Sequence, residues 1–411
     1  MEGKIEWDAS KNNLLDRMAV KLSDWAKNGE TPDIASSDVA YALNLQKKRL
    51  EQKNLTTEIE LLPCETYMQD AGKWQDQKYT NTQKFHLCTR QQSYYRNGKR
   101  IHQMKQDCTL YTINTMANYS DAVENDSYSC PSCGAVSIVK QLREECPYCK
   151  TKFMMSDLFP KVTNFYFLEN FKLKENKLRM FMLLCAIAGA VFGLLRTDPG
   201  TAINYVALVG NMIAGVIGFV IIGYFLFAIG LLFYVMFKAA ASIPQLLKGG
   251  GTGKKVERRM KPYDALFSYK YFEGKVLSLL KMVIYSDDLK NLAAYEGTSL
   301  DPEYADIVDV TYGGSMGLKS FHVEGNYAHV ELDAYLMNTY CKNNNISRKR
   351  EVVTVGLCKN ISRPSDFGFS IKAVRCPNCG GSFDATRQKN CPYCRGAYRM
   401  REHDWVVTSV R

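Results

Sequence analysis

Two stretches of this chain carry no charge. Met180 to Leu195 runs uncharged between Arg179 and Arg196, and a second stretch lies between Thr201 and Lys238, densest from Val206 to Phe237. Segments apolar on every side suit a lipid surround rather than one face of a soluble core, so both predict helices. With ~1.5 Å of rise per residue, the first spans about 24 Å and the second roughly 48 Å, against a hydrocarbon layer of about 30 Å. The second must therefore tilt, protrude or break. Asp198-Pro199-Gly200 is a turn too short to hold a domain, so the pair predicts an antiparallel two-helix transmembrane hairpin. Cys185, Gly189 and Gly193 on the first helix, and Ala214 with Gly218 on the second, are small residues at four-residue spacing where backbones can approach. Neither segment has an ionisable residue at its centre, which points to an anchor rather than an ion or proton path.

On both sides of the hairpin the pattern changes to that of water-soluble α+β structure. Before it, residues 14–25 and 38–51 predict amphipathic helices, and residues 84–96 and 101–113 predict strands joined at Asn97-Gly98, a two-residue hairpin signal. Residues 162–168 predict a further strand. After it, residues 263–284 predict a long helix with Phe267, Tyr271, Val276, Leu280 and Val283 at three- and four-residue steps, and residues 288–295 a shorter one. Ala328, Val330, Leu332, Ala334 and Leu336 alternate with His329, Glu331, Asp333 and Tyr335, which predicts a strand with its polar side chains turned away from the apolar face. Residues 342–345 turn the chain into a strand over 351–358, and residues 405–410 close the sheet.

With 411 residues, 46% of them hydrophobic, the chain has enough apolar surface for folded cores, and wholesale disorder is excluded. The formal charge of +11 favours anionic surroundings, either lipid headgroups or nucleic acid. Lys172, Lys174, Lys177 and Arg179 precede the hairpin, and Lys254, Lys255, Arg258, Arg259 and Lys261 follow it, while the turn carries only Arg196 and Asp198. This positive-inside bias predicts an integral plasma (inner) membrane protein with both termini cytoplasmic, its flanking cations meeting anionic membrane lipids. The first residues contain no apolar run resembling a signal peptide, so the 14 cysteines read as reduced thiols and metal ligands rather than a disulfide framework.

The sharpest motif is repeated. Cys130 and Cys133 are followed by Cys146 and Cys149, and Cys376 and Cys379 by Cys391 and Cys394. Two residues between paired cysteines aim both sulfurs into one knuckle, and two knuckles complete a tetrahedron, so each set predicts a zinc ribbon with Zn2+ in a closed, structural site; iron is the chemical competitor. The other six cysteines read as buried structural thiols. The sets lie about 245 positions apart, and similar elements surround them, which raises an internal duplication as a hypothesis. The five histidines show no spacing that suggests a metal site or a catalytic triad. Gly249 to Lys255 lacks the residues of a phosphate loop and reads as a flexible, basic juxtamembrane linker. Lys372, Arg375, Arg387, Lys389, Arg395, Arg399 and Arg401 give the second ribbon a basic rim suited to nucleic acid or ribosome docking, or to headgroups.

The helix over 263–284, the step Ser286-Asp287-Asp288-Leu289, the strands, and a four-cysteine ribbon leading into Asp404-Trp405-Val406-Val407 resemble bacterial zinc-ribbon-containing membrane members of the Tim-forty-four-like domain family. The resemblance covers roughly residues 262–411. It implies an α+β cone of the nuclear-transport-factor-two-like kind and a tendency to bind proteins at a membrane. The hairpin and the N-terminal half depart from the pattern of the family's mitochondrial tethers, so the tether's activity is not carried over.

The expected organisation is an N-terminal α+β lobe with a zinc ribbon over 1–171, a transmembrane hairpin over 172–238, a Gly-rich linker over 239–261, and a second cone-like lobe with an inserted ribbon over 262–411. The expected function is a non-enzymatic adaptor that holds an unidentified protein partner at the membrane. The rivals are a ribosome- or nucleic-acid-docking protein, and an enzyme or small-ligand carrier using the cone cavity.

Overall fold

Thr57, Ile59 and Leu61 are buried while Thr56, Glu58 and Glu60 between them are exposed. This two-residue period is what places successive side chains on opposite faces of a strand. The computed structural model describes residues 6–8, 10, 13–64, 69–75, 79–117, 124–125, 127–130, 133, 135–151, 161–169, 175–195, 205–249, 251–265, 267–343, 345–362, 374–376, 378–383 and 388–411. Among these, seven α-helices and two antiparallel main sheets make a mixed α+β chain. It divides into two compact units: Met1–Asn170 with Lys248–Arg411, and Phe171–Leu247.

The N-terminal part of the first unit begins with α1 (Leu14–Asn28), capped by the Asn13 side chain accepting from the Asp16 N–H, and α2 (Ser37–Gln52), capped by Ser36. Then come β1 (Thr56–Pro63), β2 (Gln69–Gln75), β3 (Tyr79–Arg96) and β4 (Lys99–Ala117). A ribbon segment follows, with β5 (Ser127–Ser129), β6 (Val136–Ile138) and α3 (Val139–Glu144), and β7 (Lys161–Glu169) closes the sheet. The strand order is β1-β3-β4-β7, with β2 also on β3.

The remainder of the chain starts with α4 (Glu175–Leu195) and α5 (Tyr205–Gly249), which make up most of the second unit, and then α6 (Thr252–Met260) and α7 (Tyr269–Tyr285). The second sheet is a meander of β8 (Ile307–Glu324), β9 (Tyr327–Lys342) and β10 (Asn345–Asn360). Its ribbon holds β11 (Val374–Arg375) and β12 (Ser382–Phe383), and β13 (Val406–Val410) then pairs with β10.

The two halves share a topology. In each, a ribbon interrupts the chain between the third and fourth strands of an antiparallel sheet, the first place being taken by β1 with β2 in one half and by the single long β8 in the other. The split corresponds to a break in β8, whose register shifts between Tyr312 and Met316, where Gly314 takes a left-handed φ of 82°. Closer correspondences lie in the backbone. Val162 of β7 bonds Ile34 and Ser36 after α1, and Val407 of β13 bonds Ala294 and Glu296 after α7, each forming an isolated parallel bridge. Asn97 and Asn343 both carry positive φ at the turn after the second strand, 49° and 48°. The two sheet orders, β1-β3-β4-β7 and β8-β9-β10-β13, run alike, with β2 as an extra strand in the first.

The halves are not independent bodies. Ala42 and Leu45 of α2 and Tyr166 of β7 belong to one core with Val276, Leu280, Tyr312, Leu332 and Trp405 from the C-terminal half. Arg49 of α2 donates to the carbonyls of Ile284, Ser286 and Ala305, and Gln46 donates to Asp309, also held by Arg90 at 3.1 Å. Thus the two lobes expected from the sequence pack on each other through α2 and α7.

In the second unit, α4 and α5 pack antiparallel. A Cβ at Gly189 would stand 2.5 Å from the Gly215 carbonyl oxygen, and one at Gly193 2.5 Å from that of Asn211, so only glycine allows this approach. Phe181 meets Phe227, and Phe192 meets Phe219. The stripe Cys185, Gly189, Gly193 is used as expected. The second helix, however, answers with Gly215 and Gly223, whereas Gly218 has open space around its Cα. The segment Leu208–Gly230 of α5 is long and apolar enough to cross a membrane, and Arg179–Leu195 is a shorter apolar helix.

Three further expectations need revision. Residues 288–295 form turns, not a helix, because Asp288 caps its own turn by accepting from the Asn291 N–H and side chain, an arrangement that competes with helix. The stretch read as a flexible linker is in part α6, whose Thr252, Val256 and Met260 are buried at four-residue spacing. Strands β1, β2 and β8 add to the pattern read from the sequence.

Candidate metal centres

Each ribbon is built on a short strand pair leading into its first knuckle. In the first, β5 delivers Cys130, whose N–H bonds the Ala135 carbonyl at 2.8 Å; in the second, β11 delivers Cys376, whose N–H bonds the Gly381 carbonyl at 2.9 Å. The second knuckles repeat this, Cys146 to Thr151 and Cys391 to Gly396, at 2.8 and 2.9 Å. Lys150 and Arg395, directly after the last cysteines, take left-handed φ of 59° and 58°. In both ribbons the first cysteine of each knuckle is buried and the second exposed.

The sulfurs converge. Sγ separations are 3.7 Å for Cys130–Cys149 and Cys133–Cys146, 3.5 Å for Cys376–Cys394 and 3.7 Å for Cys379–Cys391. Four thiolates at about 2.3 Å from a tetrahedral ion stand roughly 3.8 Å apart, and a disulfide would need about 2.05 Å. The donor sets therefore fit one metal ion each, and with all four positions thiolate neither leaves room for a substrate. The Thr151 hydroxyl and N–H beside Cys149 favour its thiolate and bring it down to about 6, while burial pushes Cys133 of the same set up.

The other cysteines divide. Cys88 and Cys108 face each other across β3 and β4, buried, at 3.6 Å, and Cys341 and Cys358 are buried as expected. Cys64 is exposed and Cys185 half-buried, contrary to a uniform structural reading.

The basic residues also divide. Lys254, Lys255, Arg258, Arg259 and Lys261 are exposed along and just after α6, whose buried side carries Thr252, Val256 and Met260. Arg179 is exposed at the start of the apolar part of α4; Lys172, Lys174 and the side chain of Lys177 lie outside the described residues. On the second ribbon's rim, Lys389 donates to the Tyr295 carbonyl at 3.2 Å and Arg401 pairs with Glu296 at 2.7 Å, so two of its cations serve the fold. Lys372 and Arg387, with the side chain of Arg375, lie outside the described residues.

Between the halves lies a small cavity lined by apolar side chains such as Trp25, Phe165 and Phe167 together with Gln46, Arg90, Lys281 and Asp309. About 30 Å³ is open to the centre of a water molecule, room for a water or two at about 10–15 Å³ each. Burial holds the Lys281 ammonium down at about 8, Asp309 pulling it up and Arg90 pushing it lower.

Sequence reasoning did not find a convergence of His322, Glu324 and His329, whose ligating atoms all lie within 4.8 Å of one another. The signal was present: a Gly325-Asn326 turn between alternating strands puts 322 opposite 329. No family model, no curated protein and no solved structure matches this chain.

Proposed function

We propose that this protein is a membrane-anchored, non-enzymatic adaptor that binds a protein partner on one face of the bilayer. The observation that carries the reading is the shared core. Residues before and after α4 and α5 pack into one unit, so a chain that entered the membrane once and stayed across could not build it. Either the apolar helices cross an even number of times or they do not cross. The exposed apolar side chains of α5, such as Ile222, Phe225, Leu226 and Phe233, favour lipid around it, and α4 packed against it supplies the return crossing. The exposed cations of α6 follow α5 directly and suit anionic headgroups on the cytoplasmic side.

In this reading the two metal ions are zinc and hold structure, each lobe is cone-like in the manner of the resemblance, and binding falls to exposed surface. Tyr148 and Tyr393 occupy the same place in the two second knuckles and stand 54% and 70% exposed. Paired aromatic tips of this kind suit a protein partner. Ribosome or nucleic-acid docking is less favoured because Lys389 and Arg401 are engaged internally. The test is photo-crosslinking in intact membranes from a photoreactive residue at 148 or 393. A salt-resistant protein adduct is expected. Adducts only with nucleic acid, or none from either site, would overturn the adaptor.

A further inference from the structure

The tip of the β8–β9 hairpin brings together two of the chain's five histidines. His322 and His329 are direct cross-strand partners, their rings stacked 4.9 Å apart at an interplanar angle of 7°. Glu324 is two residues beyond His322 on the same strand and so shares its face of the sheet. The turn between them is held from outside: the Asn326 carbonyl accepts from the Ile361 N–H at 2.8 Å. The Tyr327 hydroxyl donates to Glu402 at 2.5 Å, and the Asn360 amide holds the other oxygen of Glu402 at 2.7 Å. The backbone under the three donors is thus fixed before anything binds.

From this juxtaposition we infer that His322, Glu324 and His329 form a third metal site, for zinc or a neighbouring late first-row divalent ion. Two imidazoles and a carboxylate are the donor types these ions take, and a three-ligand set leaves a coordination position open, unlike the closed tetracysteine sets. With donor bonds of about 2.0–2.2 Å, ligand atoms around such an ion stand roughly 3.3 Å apart. To reach that spacing the two rings must turn out of their parallel stack, because each nitrogen lone pair lies in its ring plane; the donor atoms already lie within 4.8 Å of one another. His329 is steadied from its inner side, its Nε2 lying 3.9 Å from the Cys358 sulfur on β10. A merely aromatic stack would not require the carboxylate of Glu324 to converge on the same point.

The test uses the full chain in detergent with both tetracysteine sets filled, titrated with zinc alone against a chromophoric chelator. A third equivalent is expected. His322→Ala and His329→Ala should each weaken it at least tenfold, Glu324→Gln should weaken it less, and all three variants should keep the first two equivalents, which also reports that they fold. Saturation of the unaltered chain at two equivalents, or a third equivalent unmoved by both histidine variants, would overturn the inference.

Discussion

Lys275 of α7 lies 2.7 Å from Asp38 of α2 and 2.6 Å from Asp404 just before β13, and its side chain is almost wholly buried. Burial alone would pull its pKa down, but the two carboxylates outweigh that and hold it above the ordinary lysine value. Removing one partner of a buried ion cluster leaves uncompensated charge, so Lys275→Met should destabilise the first unit by about 3–5 kcal/mol. Chemical unfolding of the purified chain measures it, and adding Asp38→Asn with Asp404→Asn should recover part of the loss. Lys281 works in the opposite sense. Its folded pKa of about 8 lies below the ordinary value of about 10.4. Between those limits the native state therefore binds fewer protons than the unfolded state, and stability rises with pH. Lys281→Met should flatten that rise, read as a smaller change in unfolding midpoint from pH 8 to pH 10. Neither lysine's role was legible in the sequence, because Lys275 depends on partners in distant parts of the chain, Asp38 and Asp404, and Lys281 on a cavity between halves.

At the scale of elements, the ribbons were legible to the residue, since four cysteines at fixed spacing specify their own geometry. Cys146→Ser should remove one metal ion and loosen the first ribbon while leaving the other ion in place, as counted by metal analysis and limited proteolysis. The alternating face of β9 was equally plain, and β1 carries the same alternation in Thr57, Ile59 and Leu61. By contrast, β8 was hidden by Gly313 and Gly314, which interrupt its period where the register shifts. The face of α5 was misread because Gly215 and Gly223 are eight residues apart and were masked by Ala214 and Gly218. Its contact has a direct check: a Cβ at Gly223 would lie 2.5 Å from the Cys185 sulfur. Gly223→Cys should form an intrachain disulfide with Cys185 on oxidation, and Gly189→Leu, by forcing the helices apart, should abolish it.

For the whole molecule, the sequence implied two lobes, while the structure joins them through α2, whose Arg49 and Gln46 side chains donate to C-terminal partners. Helix periodicity showed that α2 has a buried side; it held no information on what that side meets. From this union follows the requirement that the described residues of the first unit on either side of α4 and α5 occupy one side of any membrane those helices enter. The most direct measurement is thiol labelling in sealed, right-side-out and inverted vesicles with an impermeant reagent. It uses the exposed native Cys64 in one half and a single cysteine placed at exposed Lys290 in the other, with the remaining exposed cysteines scored separately. Both sites should label from the same, cytoplasmic face and neither from the opposite one. Labelling of the two sites from opposite faces would contradict the shared core, and labelling of both only from the outer face would contradict the cytoplasmic adaptor.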